Sequence, residues 1–217
     1  MVKKILLRIL LALGLVIVVL VVNYLFFNLT ATRISTGTPI PDPPPANTAL
    51  LVIDIQGGTT GETSALAGLK EQSEVLIRNV NTLAEEMHSR DQPVIYIRTE
   101  VANPLINVLN NTMARGSLGA ELDPRLRVQP GEVLVKRRND SFFKTGLDQI
   151  LEDHQVGNLV LVGLDAGHCV KSTAQAALNR GYRVSVMEDA VITNELEDKA
   201  IALEELKGMG VEIVSAE

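Results

Sequence analysis

Six short apolar runs alternate with segments of helical periodicity, and this alternation constrains the fold of the 217-residue chain more than any other feature. Runs such as ALLVIDI (49–55) and NLVLVGL (158–164) are continuously apolar, which is typical of strands buried on both faces of a parallel sheet. The other predicted strands are 93–99, 132–137, 183–189 and 211–216, and the predicted helices are 64–90, 145–154, 168–180 and 195–209. Regular β-α alternation predicts a three-layer α/β/α fold with a six-stranded, mostly parallel sheet.

An apolar segment precedes this pattern. Ile5 to Phe27 is apolar except for Arg8 and Asn23. As a helix it would span roughly 34 Å, enough to cross a bilayer core of about 30 Å. Basic residues at its start favour a cytoplasmic N-terminus. The sequence therefore predicts residues 1–4 in the cytoplasm, a transmembrane anchor at 5–27, and an extracytoplasmic remainder.

Two alternatives to the anchor remain open. Ile9 to Val22 also suits the apolar core of a cleaved signal peptide, although residues 30–32 offer only a weak cleavage site, and cleavage would give a secreted protein. A buried core helix would show periodic polar residues, which this segment lacks. No cysteine directly follows the segment, which excludes a lipoprotein anchor.

A proline-rich stretch, TGTPIPDPPPANT, follows the apolar segment. We interpret residues 28–45 as a semi-rigid linker and 46–217 as the folded domain. Four basic residues and one acidic residue in 1–45 leave a net charge of −9 on 46–217, against −6 for the chain. An acidic domain without basic clusters argues against nucleic-acid binding. The single cysteine precludes an internal disulfide.

Three chemically capable residues follow three predicted strands. Asp54 ends the first, Lys136 ends the third, and Cys169 follows the fourth at the start of a helix. Ligands of parallel sheets bind beyond the carboxyl ends of the strands, so we expect these residues to converge. Taken singly, each has an ordinary structural interpretation. Together they supply a base, a cation and a thiol for nucleophilic acyl transfer, with Lys136 and the helix N-terminus favouring the thiolate.

A resemblance makes this expectation specific. The stretches ALLVIDIQ, VKRRNDSFFKTGLDQIL and GLDAGHCVKSTAQAALNRGYRVSVMEDAV resemble the isochorismatase-like cysteine hydrolase superfamily. The resemblance covers nearly all of residues 49–217 and implies a triad of Asp54, Lys136 and Cys169. It also implies a cis peptide between Leu164 and Asp165, with the N–H groups of Asp165 and Cys169 directed at an oxyanion, and assembly into homo-oligomers.

Departures from the family pattern narrow the expected substrate. Gly57–Gly58–Thr59 follows Asp54 where many relatives carry Asn-Asp-Phe. The three histidines lack the metal-binding pattern of nicotinamidases, so we expect no metal and no cofactor, with His88 and His154 on the surface. The domain has no tryptophan and few other aromatic residues, which disfavours a pocket for a flat ring.

Candidate pocket residues are Gln56, His168 and Phe142. Gln56 would orient the Asp54 loop, and His168 would shape the pocket or simply be exposed. Phe142 is a ring contact or a core residue. The loop from 101 to 130 is expected to shape the pocket as well.

The function predicted from these features is a membrane-tethered cysteine amidohydrolase acting on a small amide, carbamoyl or ureido compound through a thioester. The alternatives are an inactive hydrolase fold that serves as a binding protein, and an isochorismatase-type hydrolase of another metabolite. A redox thiol is disfavoured because no partner cysteine exists. Rapid labelling of Cys169 by iodoacetamide at neutral pH would favour the enzyme over the binding protein.

Overall fold

The computed structural model describes residues 2–215. The helices are α1 (Val2–Ala31), α2 (Ala67–Ser89), α3 (Pro104–Leu109), α4 (Leu147–Asp153), α5 (Lys171–Leu178) and α6 (Leu196–Gly208). The strands are β1 (Asn47–Ile53), β2 (Val94–Thr99), β3 (Glu132–Lys136), β4 (Val156–Leu164), β5 (Arg183–Ile192) and β6 (Glu212–Val214). A 3₁₀ turn (Leu118–Ala120) and a π-helical turn (Ala166–Val170) complete the described elements.

The six strands form one sheet in the order β3-β2-β1-β4-β5-β6, and every paired neighbour is parallel. The chain builds outward from β1 to β3 and then returns to add β4 on the other side of β1. This reversal creates a switch point between β1 and β4, where parallel α/β sheets bind ligands. The predicted fold class is therefore confirmed, and the sheet is parallel throughout.

Both faces of the sheet are covered, as the continuously apolar strands predict. Ala49, Leu51 and Ile53 of β1 point into a core shared with α4, α5 and α6. Leu50 and Val52 point the other way, into a core closed by α2. Successive residues of a strand alternate between faces, so a strand sandwiched between two helical layers must be apolar at every position.

Element boundaries differ from the sequence-based ones mainly around the turns. β5 runs on to Ile192, and α2 begins at Ala67 rather than near 64 because the preceding residues form turns. The long loop after β2 contains α3 and the 3₁₀ turn. The sixth strand spans only Glu212–Val214, and the predicted extension to Ala216 lies outside the described residues.

The proline-rich linker is a strap on the domain surface, not a projecting spacer. The Ser35 amide donates to Asp140 Oδ2 at 2.8 Å, and the Ile40 amide donates to the carbonyl of Arg180 at 2.8 Å. Ile34 and Ile40 pack against the α4–α6 core. The sequence pattern missed this docking because prolines specify an extended backbone without specifying what it lies against.

Helix α1 is 30 residues long and none of its residues is buried. Its most apolar stretch has a mean hydropathy of 3.2, so by length and composition it is able to cross a membrane. A core helix would be largely covered by the rest of the protein, and α1 is not. The core-helix alternative is thereby removed, while anchor and signal sequence share these properties.

Candidate active site

Asp54 directly follows β1 at the carboxyl edge of the sheet. Its φ of 56° lies in the left-handed region, which aspartate tolerates better than most residues. Its amide donates to the carbonyl of Ile97 at 2.8 Å, and the Thr59 hydroxyl donates to its carbonyl at 2.7 Å. The Thr99 hydroxyl donates to Oδ1 at 2.8 Å. These bonds fix the carboxylate and leave Oδ2 for a different partner.

That partner is Lys136, the last residue of β3. Its ammonium nitrogen lies 2.7 Å from Asp54 Oδ2 and 3.1 Å from Cys169 Sγ, and it donates to the carbonyl of Arg138 at 3.1 Å. The side chain is buried, and these contacts use all three ammonium donors. Lys136 thus bridges the acid and the thiol.

Cys169 lies within the π-helical turn after β4, not at the first residue of an α-helix as the sequence pattern suggested. The amides of His168 and Val170 both donate to the carbonyl of Asp165, at 3.0 and 3.1 Å. This wide turn holds the half-buried Cys169 at the junction before α5 begins at Lys171. Single π-turns of this kind are frequent at functional sites.

The electrostatics of the three groups correct one expectation. Burial raises the pKa of the Cys169 thiol to about 12; Lys136 opposes this shift, while the charge of Asp54 and its hydrogen bond with the thiol add to it. Burial would lower the pKa of Lys136, but the charges of Asp54 and Cys169 outweigh burial and raise it. The raised pKa of Cys169 therefore favours the neutral thiol in the resting site, whereas the sequence analysis expected Lys136 and the helix terminus to favour the thiolate.

The peptide bond between Leu164 and Asp165 is cis. Gly163, just before it, has a φ of 109°, and a Cβ there would collide with the backbone of Ile53 in β1. The Asp165 carboxylate accepts hydrogen bonds from the Gly167 amide at 2.8 Å and from the Asn194 amide at 3.2 Å. The backbone around the cis bond is thus held by Asp165 against both the π-turn and the end of β5.

Of the three candidate pocket residues, His168 is the most exposed. Its ring nitrogen lies 3.1 Å from Asp165 Oδ1, and its side chain is 72% exposed. His168 is therefore available at the rim of the site.

Gln56 is fully buried, and its amide group is used internally. Its Nε2 donates to the carbonyls of Thr99 and Ala120 at 3.0 and 2.7 Å, and its Oε1 accepts from the Thr99 amide at 2.7 Å. These bonds tie the loop after Asp54 to the end of β2 and to the 3₁₀ turn, and Gln56 does not line a pocket.

Phe142 is a core residue, so its assignment to the pocket was wrong. It is 2% exposed, its ring lies 6.0 Å from that of Tyr182, and the guanidinium of Arg180 stacks on it at 4.3 Å. The half-buried Phe143 stacks instead with Arg138, which lies 3.7 Å from its ring centre. Adjacent phenylalanines after a strand do not reveal from sequence which one turns inward.

Thr99 was missed by the sequence reasoning, although it obeys the same rule as the other site residues. It ends β2, between β1 and β3, and its hydroxyl orients Asp54. Its position at a strand end was the available signal, but threonine is so common in strands that the signal was weak.

The packing of the loop after Asp54 explains why glycine occupies positions 57 and 58. A Cβ on Gly57 would lie 2.7 Å from the carbonyl oxygen of Leu118, and one on Gly58 would lie 3.0 Å from that of Gly119. The loop after Asp54 therefore accepts the 3₁₀ turn at close range, which larger residues would not permit. The Gly57–Gly58 pair, which departs from the family pattern, thus makes room for the neighbouring 3₁₀ turn. Asp54 keeps its position at the end of β1.

No group of three or more His, Cys, Asp and Glu side chains is arranged to hold a metal ion within residues 2–215. His88 and His154 are exposed, as predicted. A cavity of about 860 Å³ lies between the proline-rich strap and α4, away from Asp54, Lys136 and Cys169.

The fold thus brings an aspartate, a lysine and a cysteine together at the carboxyl edge of a parallel α/β sheet. The Isochorismatase domain model matches residues 48–217. The chain belongs to the isochorismatase family and is a hydrolase of that family, which confirms the resemblance read from the sequence.

Individual relatives are similar over most of the domain. A secreted isochorismatase effector of Verticillium dahliae is 28% identical over 166 residues, covering 75% of this chain and 82% of the effector. A ureidoacrylate amidohydrolase of Agrobacterium fabrum is 28% identical, covering 67% and 76%. The crystal structure of N-carbamoylsarcosine amidase from Thermoplasma acidophilum superposes with a TM-score of 0.67 at 27% identity, covering 78% of this chain and 96% of that one.

Proposed function

We propose that this protein is a cysteine-dependent amidohydrolase that cleaves a C–N bond of a small amide, carbamoyl or ureido compound through a thioester. The observation that carries the proposal is the placement of the Lys136 ammonium 2.7 Å from Asp54 and 3.1 Å from the Cys169 sulfur. Relatives named as an amidase and an amidohydrolase support the bond type.

In the first half-reaction, Asp54 takes the thiol proton as Sγ attacks the substrate carbonyl carbon. The raised pKa of Cys169 makes this proton transfer part of the attack rather than a preceding step. The Lys136 ammonium remains beside the sulfur and offsets the negative charge that forms there. The amides of Asp165 and Cys169 stabilise the oxyanion in this scheme.

The tetrahedral intermediate then collapses, and the nitrogen leaves with the proton held by Asp54, which completes the first half-reaction. The product is a thioester on Cys169 and a free amine or ammonia. In the second half-reaction, Asp54 takes a proton from water as the water oxygen attacks the thioester carbon. The C–S bond then breaks, the departing thiolate recovers the proton from Asp54, and a carboxylic or carbamic acid is released. The cycle needs no cofactor.

The aromatic side chains support a small aliphatic substrate over a flat ring. Of the aromatic residues in the domain, Tyr96, Phe142 and Tyr182 are buried in the core. Only Phe143 is partly accessible, and Arg138 and Lys144 approach its ring. No pair of accessible rings within residues 46–215 is available to sandwich a planar ligand.

Ammonia release from a panel of small amides, ureas and carbamates tests the chemistry, with the Cys169→Ala protein as the blank. A hit should also yield an acyl adduct on Cys169 by mass spectrometry of the quenched enzyme. Binding of panel compounds without turnover would support the alternative of a binding protein with a hydrolase fold.

We also propose that α1 is retained as a membrane anchor, with the domain extracytoplasmic, and that the domain assembles into homo-oligomers. The length and hydropathy of α1, none of whose residues is buried, support the anchor, and the family resemblance supports the assembly. The intact mass of the protein recovered from membranes tests retention, because a cleaved signal would leave a soluble, shorter chain. Light scattering in detergent tests assembly.

A further inference from the structure

Helix α1 is joined to the domain by specific hydrogen bonds. The amide of Asn139, three residues beyond Lys136, donates to the carbonyl of Ala31 at the end of α1, at 3.1 Å. Further down the helix, Asn103 Nδ2 donates to Asn23 Oδ1 at 3.1 Å. Asn139 and Asn103 follow β3 and β2, so α1 joins the domain at the carboxyl edge of the sheet, where the candidate active site lies.

The hydrogen bond between Asn103 and Asn23 fixes the position of α3 along the length of α1. Leu105 of α3 shares a groove with Val18 and Val22. At 1.5 Å per residue, these valines lie roughly 14 and 8 Å below the end of the apolar segment at Phe27. If α1 crosses a bilayer with Phe27 at the headgroup boundary, Leu105 must lie about 8–14 Å below that boundary, among the acyl chains.

The composition of this part of the domain suits that position. Residues 101–114 contain no charged side chain, and none of α3 is buried. Val108, Leu109 and Leu118 are 76%, 60% and 81% exposed. Large apolar side chains projecting from an uncharged loop are the usual means by which a surface inserts into the interfacial zone of a membrane.

Exposed cations flank the apolar loop although the domain as a whole is acidic. Arg33 follows α1, and Arg137 and Lys144 lie in the loop after β3. Arg115 pairs with Glu100 at 3.8 Å, but its side chain is 75% exposed. Cations beside an inserted apolar patch favour anionic lipid headgroups. The charge pattern therefore complements a bilayer surface.

We infer that the carboxyl edge of the sheet docks on the lipid bilayer, with α3 inserted among the acyl chains below the headgroups and Leu118 at the bilayer surface. The candidate active site then faces the membrane surface. This inference rests on the proposed anchoring by α1 and adds to it an orientation that a flexible tether would not impose.

The absence of tryptophan from the sequence provides a direct test. The full chain is reconstituted into anionic vesicles whose lipids carry bromine near the headgroup end of the acyl chain. Single tryptophans are introduced as Leu118→Trp and Val108→Trp at the proposed interface, Leu13→Trp in α1, and His88→Trp at the exposed far end of α2. Circular dichroism and thermal midpoints show whether each variant is folded.

Docking predicts a roughly twofold loss of emission on bromination for Leu118→Trp and Val108→Trp, because a ring at the interface meets the quencher directly. His88→Trp should be unaffected, since α2 carries it to the opposite edge of the sheet. Quenching of Leu13→Trp without quenching at 118 and 108 would overturn the docking while leaving the anchor intact. Loss of quenching at all positions would overturn the anchor and the docking together, and neither result would affect the proposed chemistry.

Discussion

Asp123 and Arg125 form a second acid–base cluster in the domain, and its contrast with Asp54, Lys136 and Cys169 shows what separates support from chemistry. The Asp123 carboxylate accepts from Arg125 Nε at 3.0 Å, from the guanidinium NH2 at 2.8 Å and from the Thr60 hydroxyl at 2.7 Å. The same guanidinium donates to the carbonyl of Thr60 at 2.7 Å. The Arg125 guanidinium thus holds the Asp123 carboxylate through two of its nitrogen atoms and is itself anchored to the backbone carbonyl of Thr60.

The Asp54 cluster has the same buried carboxylate but uses different partners. A lysine replaces the arginine fork with a compact charge, and the remaining partner is a thiol that is able to give up its proton. The two clusters also differ in pKa. Burial would raise the pKa of Asp123, but hydrogen bonds from Arg125 and its charge outweigh burial and hold that pKa below its usual value. In the Asp54 cluster, by contrast, the pKa of the Cys169 thiol is raised.

The largest expected effect is the loss of turnover in Cys169→Ala. Removing the nucleophile should lower kcat/KM by about three orders of magnitude or more. The thermal midpoint should change by only a few degrees, because a half-buried cysteine contributes modestly to packing. Steady-state kinetics on any substrate found in the amide panel, with calorimetry alongside, measures both. Full activity in this variant would exclude the thioester route.

Lys136→Met should lose activity to a comparable extent and also destabilise the domain. Removing one partner of a buried ion pair costs about 3–5 kcal/mol, since the remaining charge is unpaired. The matched control is the double variant Lys136→Met with Asp54→Asn, which removes both charges. It should regain most of the free energy of unfolding in urea titrations of the detergent-solubilised chain, but none of the turnover. A double variant no more stable than the single one would show that Lys136 stabilises through something other than its pairing with Asp54.

Asp123→Asn should give the converse result, with stability lost and chemistry kept. We expect a loss of about 1–3 kcal/mol at pH 7 because hydrogen bonds to a charged group are weakened, and an unchanged kcat/KM. Since the folded-state pKa of Asp123 is lowered, its contribution is present above the unfolded pKa of about 4 and is lost as pH falls towards the folded pKa. The difference in unfolding free energy between wild type and variant should therefore shrink below about pH 4. A difference that stays constant from pH 7 to pH 3 would contradict the lowered pKa.

Both clusters also show how far the sequence alone could go. The positions of Asp54, Lys136 and Cys169 after apolar runs were sufficient to predict that they lie at one edge of the sheet, because all strands of a parallel sheet run in the same direction and end at the same edge. The same reasoning could not predict whether the Cys169 thiol is protonated in the resting site. That depends on how deeply the sulfur is buried and on which oxygen of Asp54 faces it.

Other failures share a physical cause, which is dependence on contacts distant in sequence. The choice between Phe142 and Phe143 for the core depends on Tyr182 and Arg180. The docking of the strap depends on Asp140 and Arg180, neither of which has a periodic signature. Local patterns predicted elements well where a single periodicity extended over many residues, as in α2, and poorly where one side chain selected between two environments.

The smallest effect, and the sharpest test of the electrostatics, is expected from alkylation of Cys169. Because its pKa is raised to about 12, slow labelling by iodoacetamide at neutral pH is compatible with an active enzyme, which corrects the criterion taken from the sequence. Asp54→Asn removes a charge that raises this pKa and leaves Lys136, which lowers it. Labelling at pH 8 should therefore become up to about tenfold faster while turnover falls. Lys136→Met should label more slowly than wild type, because only the carboxylate then faces the sulfur. Mass spectrometry of the single cysteine gives both rates, and slower labelling of Asp54→Asn than of wild type would mean that Asp54 promotes, rather than suppresses, the thiolate in the resting site.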